Sequence, residues 1–217
     1  MVKIVKPSVE IISNINSDVI LKTIEKAART CYKTENNISD DTSSAIKMIS
    51  KLIDMGHTAM IEFADIHVKI ITDTGVLKDI TRHRHCSFAV ESTRYCNYSK
   101  GKFGNELTFI KPCHIEENSE LYDIWFKTMQ NIEESYMKMA ENGALPDQLR
   151  MILPHSLKTE INIKANMREW RYILKLRCSK AAHPSVREVM LMLLNEFHSK
   201  IPVLFDDIFE EYKDEIK

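Results

Sequence analysis

Residues 159–177 read TEINIKANMREWRYILKLR, and the period of the apolar positions changes within the stretch. Ile161 and Ile163 alternate with Glu160, Asn162 and Lys164, the two-residue repeat of a strand buried on one face. A helix begins at Asn166 and carries the apolar run Tyr172-Ile173-Leu174, so the strand runs directly into Asn166-Met167-Arg168. Asn166 and Arg177, about three turns apart, share one face of that helix. A second half-buried strand is predicted upstream, from Asp65 to Thr72. Ile66, Val68 and Ile70 alternate with Asp65, His67 and Lys69, and Asp73-Thr74-Gly75 reads as the turn that closes that strand.

The rest is mostly helical. Asn16, Ser17 and Asp18 cap a helix that buries Val19, Ile20, Ile24, Ala27 and Ala28 and runs to about Cys31. A second helix follows Asp40-Asp41-Thr42, buries Ile46, Ile49, Leu52 and Ile53, and stops at Gly56, so that His57 opens a loop. The longest helix covers Leu121 to Ala140, with Leu121, Ile124, Trp125, Met129, Ile132, Tyr136 and Met139 on its apolar side and Gly143 at its end. Pro146 starts a short helix carrying Arg150. Ser185 and Glu188 have capping-box spacing ahead of Val186, Val189, Met190, Leu193, Leu194 and Phe197. Helices outnumber strands and do not alternate with them regularly, which predicts an α+β class, a mixed sheet with flanking helices, over a doubly wound one.

The 217 residues hold 30 Lys and Arg against 31 Asp and Glu, so no whole-chain field attracts nucleic acid and any anion site must be local. The chain is expected to form one domain over 1–217. MVKIVKPSVEIIS at the amino terminus breaks the apolar run that a secretory signal needs, and no segment is long and apolar enough to span a bilayer. A cytoplasmic protein without membrane partners is expected. Five widely spaced cysteines, Cys31, Cys86, Cys96, Cys113 and Cys178, match neither a disulfide framework nor standard zinc spacing, and no metal site is expected.

Against that balance, residues 82–100, RHRHCSFAVESTRYCNYSK, stand out. Arg82, Arg84 and Arg94 bring planar guanidinium forks, and Ser87, Ser92 and Thr93 add hydroxyls for the same anionic oxygens. They imply a phosphorylated ligand. A solvated basic face is the plain alternative. His83, His85, Cys86 and Cys96 as metal ligands, and a nucleic-acid strip with Tyr95 and Tyr98 as stacking partners, are two others. No G-x-G-x-x-G follows a strand and no Gly-rich phosphate loop is present, so a dinucleotide would have to bind without them.

Arg82-His83-Arg84 followed by seven residues and Ser92 resembles the signature of the flavin-dependent thymidylate synthases. The resemblance extends to Ser92-Thr93-Arg94-Tyr95, to Gly56-His57 with Glu62, to Gln148-Leu149-Arg150 before Leu153-Pro154, and to Asn166-Met167-Arg168 with Leu176-Arg177. It implies methylation of dUMP by 5,10-methylenetetrahydrofolate, with reduced FAD as hydride donor, NADPH as reductant of the flavin, and a homotetramer with shared sites. Carried over by position, it places Arg82, His83, Arg84, Val90, Asn166, Met167, Arg168 and Tyr172 at FAD. It places Asp79, Arg82, Glu91, Ser92, Thr93, Arg94 and Arg177 at the nucleotide, with Arg150 reaching its phosphate from a neighbouring subunit, and makes Arg177 and His57 the catalytic residues. Val90 stands where many members have Glu or Gln, Asp79 where Gln is common, Tyr172 for a common Asn, and Ala59 for a Thr. Cys178 is expected to be a core residue facing away from the ligands, not a nucleophile.

Overall fold

The computed structural model describes residues 2–216. In chain order its elements are β1 (Lys3–Val5), β2 (Ser8–Ile11), α1 (Ser17–Tyr32), α2 (Ser43–Asp54), β3 (Asp65–Asp73), α3 (Thr74–Ile80) and β4 (Cys86–Val90). There follow β5 (Thr108–Ile110), α4 (Glu120–Glu141), α5 (Pro146–Leu149), β6 (Lys158–Asn166), α6 (Met167–Arg177), α7 (Pro184–Lys200) and α8 (Pro202–Tyr212). β1 and β5 pair in parallel, Lys3 opposite Thr108, while the larger sheet has the order β2-β3-β6-β4. The class is α+β. Among the described residues no helix is long and apolar enough to cross a membrane.

The chain clusters into two compact units, one of Met1–Ser8, Ile70–Arg82 and Ala89–Ile161, the other of Val9–Lys69, His83–Phe88 and Asn162–Lys217. In the first, Phe109, Leu107, Met129, Tyr136, Leu149 and Leu157 form the apolar centre. The Ser119 hydroxyl caps α4 by accepting the Tyr122 N–H at 3.2 Å. Of the apolar side expected for α4, Met129 and Tyr136 are buried, whereas Leu121 and Ile124 near its start stay exposed. The expected turn at 73–75 is instead the start of α3. The Asp73 carboxylate accepts the Val76 N–H at 2.8 Å, so the residue types that make a good turn here make a good helix cap.

In the second unit α1 begins as predicted, with the Asn16 side chain accepting from the Val19 N–H. α2 buries Ala45, Ile49 and Leu52, and Ile46, expected inside, is 42% exposed because it lies one helical step off that line. Gly56, at φ +72°, follows α2; beyond His57 the chain forms a 3-10 turn, Thr58–Phe63, where a loop was expected. α7 starts two residues earlier than a Ser185 cap allows. Pro184 occupies its first turn and the His183 ring accepts the Ser185 N–H, since proline has no N–H to be orphaned there. α8, which the sequence reading passed over, buries Leu204, Phe205, Ile208 and Tyr212.

One buried cation fastens α8. Arg171 is 5% exposed and donates to the Leu204 carbonyl and to both Asp207 oxygens, at 2.8 and 2.7 Å. Burial pushes the Asp207 carboxyl up, but hydrogen bonds from Arg171 and Lys175 outweigh it and hold its pKa below the ordinary value. A carboxylate whose folded-state pKa is depressed stabilises the fold above the ordinary carboxylate range, and loses that contribution as pH falls through the folded value. Arg171→Ala should therefore cost about 2–3 kcal/mol in urea denaturation near pH 6, from lost charged hydrogen bonds. The gap between variant and parent should narrow toward pH 3. An equal gap at both pH values would show that packing, not the ion pair, is what Arg171 supplies.

Candidate functional site

The residues expected at the ligands fall into two groups, one in each unit. In the second unit Asn166 ends β6 and caps α6, its side-chain oxygen accepting the Glu169 N–H at 2.8 Å. That leaves only its amide hydrogens for a ligand. Met167, expected among the cofactor contacts, is fully buried, and its N–H donates to the Ala64 carbonyl at 2.9 Å. Its side chain belongs to the core. Arg168 is exposed and paired with Glu62 of the 3-10 turn Thr58–Phe63. His57, just before that turn, and Arg84 are exposed as well.

His83 is the centre of this group. It is 5% exposed, and the Arg177 Nε–H donates to its Nε2 at 3.2 Å while Glu169 Oε1 lies 3.5 Å from its Nδ1. The Tyr172 ring meets it edge-on, with centroids 5.9 Å apart. Burial, reinforced by the Arg177 charge, holds the His83 pKa below its ordinary value. The ring is therefore neutral at pH 7, and its approach to Glu169 is a polar contact rather than an ion pair. Glu169 was not singled out from the sequence, where an acidic residue in a first helical turn reads as a complement to the helix dipole.

In the first unit Val90, Glu91, Ser92, Thr93 and Arg150 line one open cleft of about 510 Å³, a size suited to a small organic ligand; Arg150 thus shares a cleft with Ser92 and Thr93 of its own chain, where a neighbouring subunit's arginine was expected. Lys78 and His155, not anticipated, line it too, with Lys78 Nζ 2.7 Å from His155 Nε2. The Thr74 hydroxyl at the start of α3 donates to the carbonyls of Pro154 and His155, which fixes α3 to the segment after Arg150. The Glu91 carboxylate is engaged elsewhere. It accepts from the Tyr98 hydroxyl at 2.8 Å and from Lys158 at 3.0 Å, and Lys158 also binds Glu160. Burial works against the Lys158 ammonium, but its hydrogen bonds to Glu160 and Glu91 outweigh this and raise its pKa. Glu91 thus anchors the segment that presents Ser92 and Thr93. Arg94 is exposed, its guanidinium 5.7 Å from the Tyr95 ring centre; Arg82 is exposed and Asp79 half-buried on α3.

Two of the alternatives for 82–100 lose their geometry. A stacking strip needs both tyrosine faces, but Tyr98 is 8% exposed and committed to Glu91, while Tyr95 alone is open at 77%. A metal at His83 Nε2 would have to displace the Arg177 donor, and among the described residues no group of three or more His, Cys, Asp or Glu could hold a metal ion.

The family profile described as thymidylate synthase complementing protein matches residues 15–203. The chain is 29% identical over 181 residues to the flavin-dependent thymidylate synthase of Pyrococcus furiosus, a match covering 81% of this chain and 73% of that one. It is 25% identical over 201 residues to the flavin-dependent thymidylate synthase of Corynebacterium glutamicum, covering 85% and 78%. Among solved structures it resembles a UMP/dUMP methylase, PolB from Streptomyces cacaoi, with a TM-score of 0.76 at 20% identity and 97% coverage of both chains. That last likeness is one of fold.

The thiols are poor nucleophiles where they are buried. Burial pushes Cys178 up to about 12, and burial with the nearby Glu169 charge does the same for Cys86. Cys178 follows the last residue of α6 and is fully buried, in accord with a core role. At pH 8 a thiol of this kind is roughly 0.01% thiolate. Labelling with a disulfide reagent at pH 8 should modify the exposed Cys31 and Cys113 first and leave Cys86 and Cys178 intact until the chain is unfolded. Fast labelling of Cys178 in the folded protein, read by peptide mass, would return it to the candidate nucleophiles.

Proposed function

The chain belongs to the thymidylate synthase complementing protein family, and on that premise we propose that it methylates dUMP to thymidylate with carbon from 5,10-methylenetetrahydrofolate. FAD, reduced by NADPH, would supply the hydride that completes the methyl group. The observation that carries the reading is the cleft in which the Ser92 and Thr93 segment converges with Arg150. Hydroxyls and a planar guanidinium suit a nucleotide phosphate and sugar.

The residues of the second unit fit a cofactor with charged phosphates and flat rings. Exposed Arg84 and Arg168 offer charge, the Asn166 amide offers donors, and the Tyr172 ring is 58% exposed. Of the other residues assigned to the flavin, His83 belongs to this unit, as does His57, assigned to catalysis, whereas Arg82 and Val90, the latter through its backbone, belong to the first. Asp79, Glu91 and Arg94 belong with the nucleotide segment, Glu91 by anchoring it through Tyr98 and Lys158. Arg177 would face the pyrimidine. A fixed guanidinium there stabilises negative charge that grows as the ring is activated, and it costs no reorganisation at that moment. The assignment of 1–217 as one family domain, the homotetramer with sites shared between subunits, and a cytoplasmic location are part of the same reading.

Release of tritium from dUMP labelled at C5, with thymidylate as product, tests the activity directly. A yellow protein that oxidises NADPH but releases no tritium would instead be a related flavoprotein without methyl transfer. Arg177→Ala should lower thymidylate formation by about a hundredfold or more, the scale of one lost preorganised donor, while NADPH oxidation continues.

Arg150→Lys keeps the charge and loses the fork. Its dUMP affinity should fall by about 1–3 kcal/mol in calorimetry, with flavin retained. If sites are shared, dilution to monomers should release FAD. Sedimentation of monomers with stoichiometric flavin would refute the sharing.

A further inference from the structure

We infer that Glu169 is a positioning residue for Arg177, acting through His83 by deciding which ring nitrogen carries the proton. The side chain of His83 is 4% exposed and lies between two fixed groups, Arg177 Nε on Nε2 and Glu169 Oε1 near Nδ1. An arginine stays protonated in a protein and its Nε–H can only donate. The Nε2 atom of His83 must therefore present a lone pair. A neutral imidazole has one N–H, so that hydrogen sits on Nδ1 and faces the Glu169 carboxylate.

The carboxylate is what makes this tautomer the favoured one in a nearly closed site. Without it nothing on that side holds the proton on Nδ1, and the Nε2–H form would set one donor against another. The hydrogen bond from Arg177 Nε to the ring would then be lost. Protonation of His83 has the same effect, since imidazolium has two donors and places a second cation beside Arg177. The titratable and charged groups against His83 are Glu169, Tyr172 and Arg177 of α6, with the Cys86 thiol of β4 near Glu169. The depressed pKa of His83 keeps the ring neutral at working pH, and it follows from burial and from Arg177. The Arg177–His83 hydrogen bond should therefore be lost as pH falls through that depressed value and be present at neutral pH.

The consequence for chemistry rests on the proposed thymidylate activity, whereas the tautomer does not, and the two are read separately. Nitrogen-15 spectra of the histidine-labelled holoenzyme, with the His83 signal identified by its absence in His83→Asn, should show His83 protonated at Nδ1. In Glu169→Ala the proton should move to Nε2. Glu169→Gln, which keeps an acceptor oxygen and drops the charge, should retain the Nδ1–H form. In parallel, Glu169→Ala should lower thymidylate turnover about tenfold or more, as wrong-tautomer variants do, with NADPH oxidation by the flavin within twofold and turnover restored to within about threefold in Glu169→Gln.

An Nε2–H tautomer in the parent protein overturns the inference, and needs no variant to fold. So does a Glu169→Ala protein with both tautomer and turnover unchanged. If the parent shows Nδ1–H and the variant shifts it, but no thymidylate forms in either, the positioning stands and the activity reading fails.

Discussion

Asn166 is the residue on which the packing around His83 in the second unit depends. Its backbone closes the alternation of β6, in which Ile163 and Ala165 are buried, and its side chain caps α6 by accepting the Glu169 N–H at 2.8 Å. With no connecting loop, the direction of α6 is set by the strand. The Trp170 indole N–H adds a second tether, donating to the Ile66 carbonyl of β3 at 3.0 Å. Once the helix is fixed at this end, its period divides the work. Arg171 turns to the Leu204 carbonyl and Asp207 on α8, while Glu169, Tyr172 and Arg177 meet His83. A helix with slack at its start could serve one of these partners but not both.

The arginines in this unit do different jobs because their surroundings differ. Arg171 is buried against a carboxylate and a carbonyl, so its charge is neutralised locally and its role is structural. Arg168 pairs with Glu62 where both are about half exposed, and water screens an ion pair there, so the contact orients a side chain more than it stabilises the fold. Arg177 donates its Nε–H to the neutral His83 imidazole, a contact that orients the guanidinium and, unlike a carboxylate at the same place, does not itself cancel charge.

Legibility from sequence followed the local or distant origin of each feature. The caps at Asn16 and Ser119, the strands at 65–73 and 158–166, and the run of β6 into α6 rest on interactions within about four residues, and the pattern shows them. Asp73-Thr74-Gly75 misled because a capping carboxylate is equally a turn residue, and only the burial of Val76 and Ile80 separates α3 from a turn. The short strands β1, β2, β4 and β5 have too few residues to show a period. Among the site residues, the Arg82-His83-Arg84 block signalled chemistry through its unusual clustering. Glu169 and Lys158 gave no signal, because what distinguishes them is a partner about 70 or more positions away.

The departures from the family pattern acquire a physical meaning in the cleft of the first unit. Val90 lines it and carries no acid, and the neighbouring Glu91 cannot substitute, because both its oxygens are held by Tyr98 and Lys158. The acidic charge nearest Ser92 and Thr93 is therefore neutralised by Lys158, itself shared with Glu160. Opposite stand Lys78 and Arg150, with His155 receiving the Lys78 amine. Where many family members have Glu or Gln, valine adds neither a charge nor a hydrogen-bonding side chain to the edge of a cleft that carries Lys78 and Arg150. Hydroxyls and cations are then what this cleft offers a ligand, groups that bind an anion without selecting among bases.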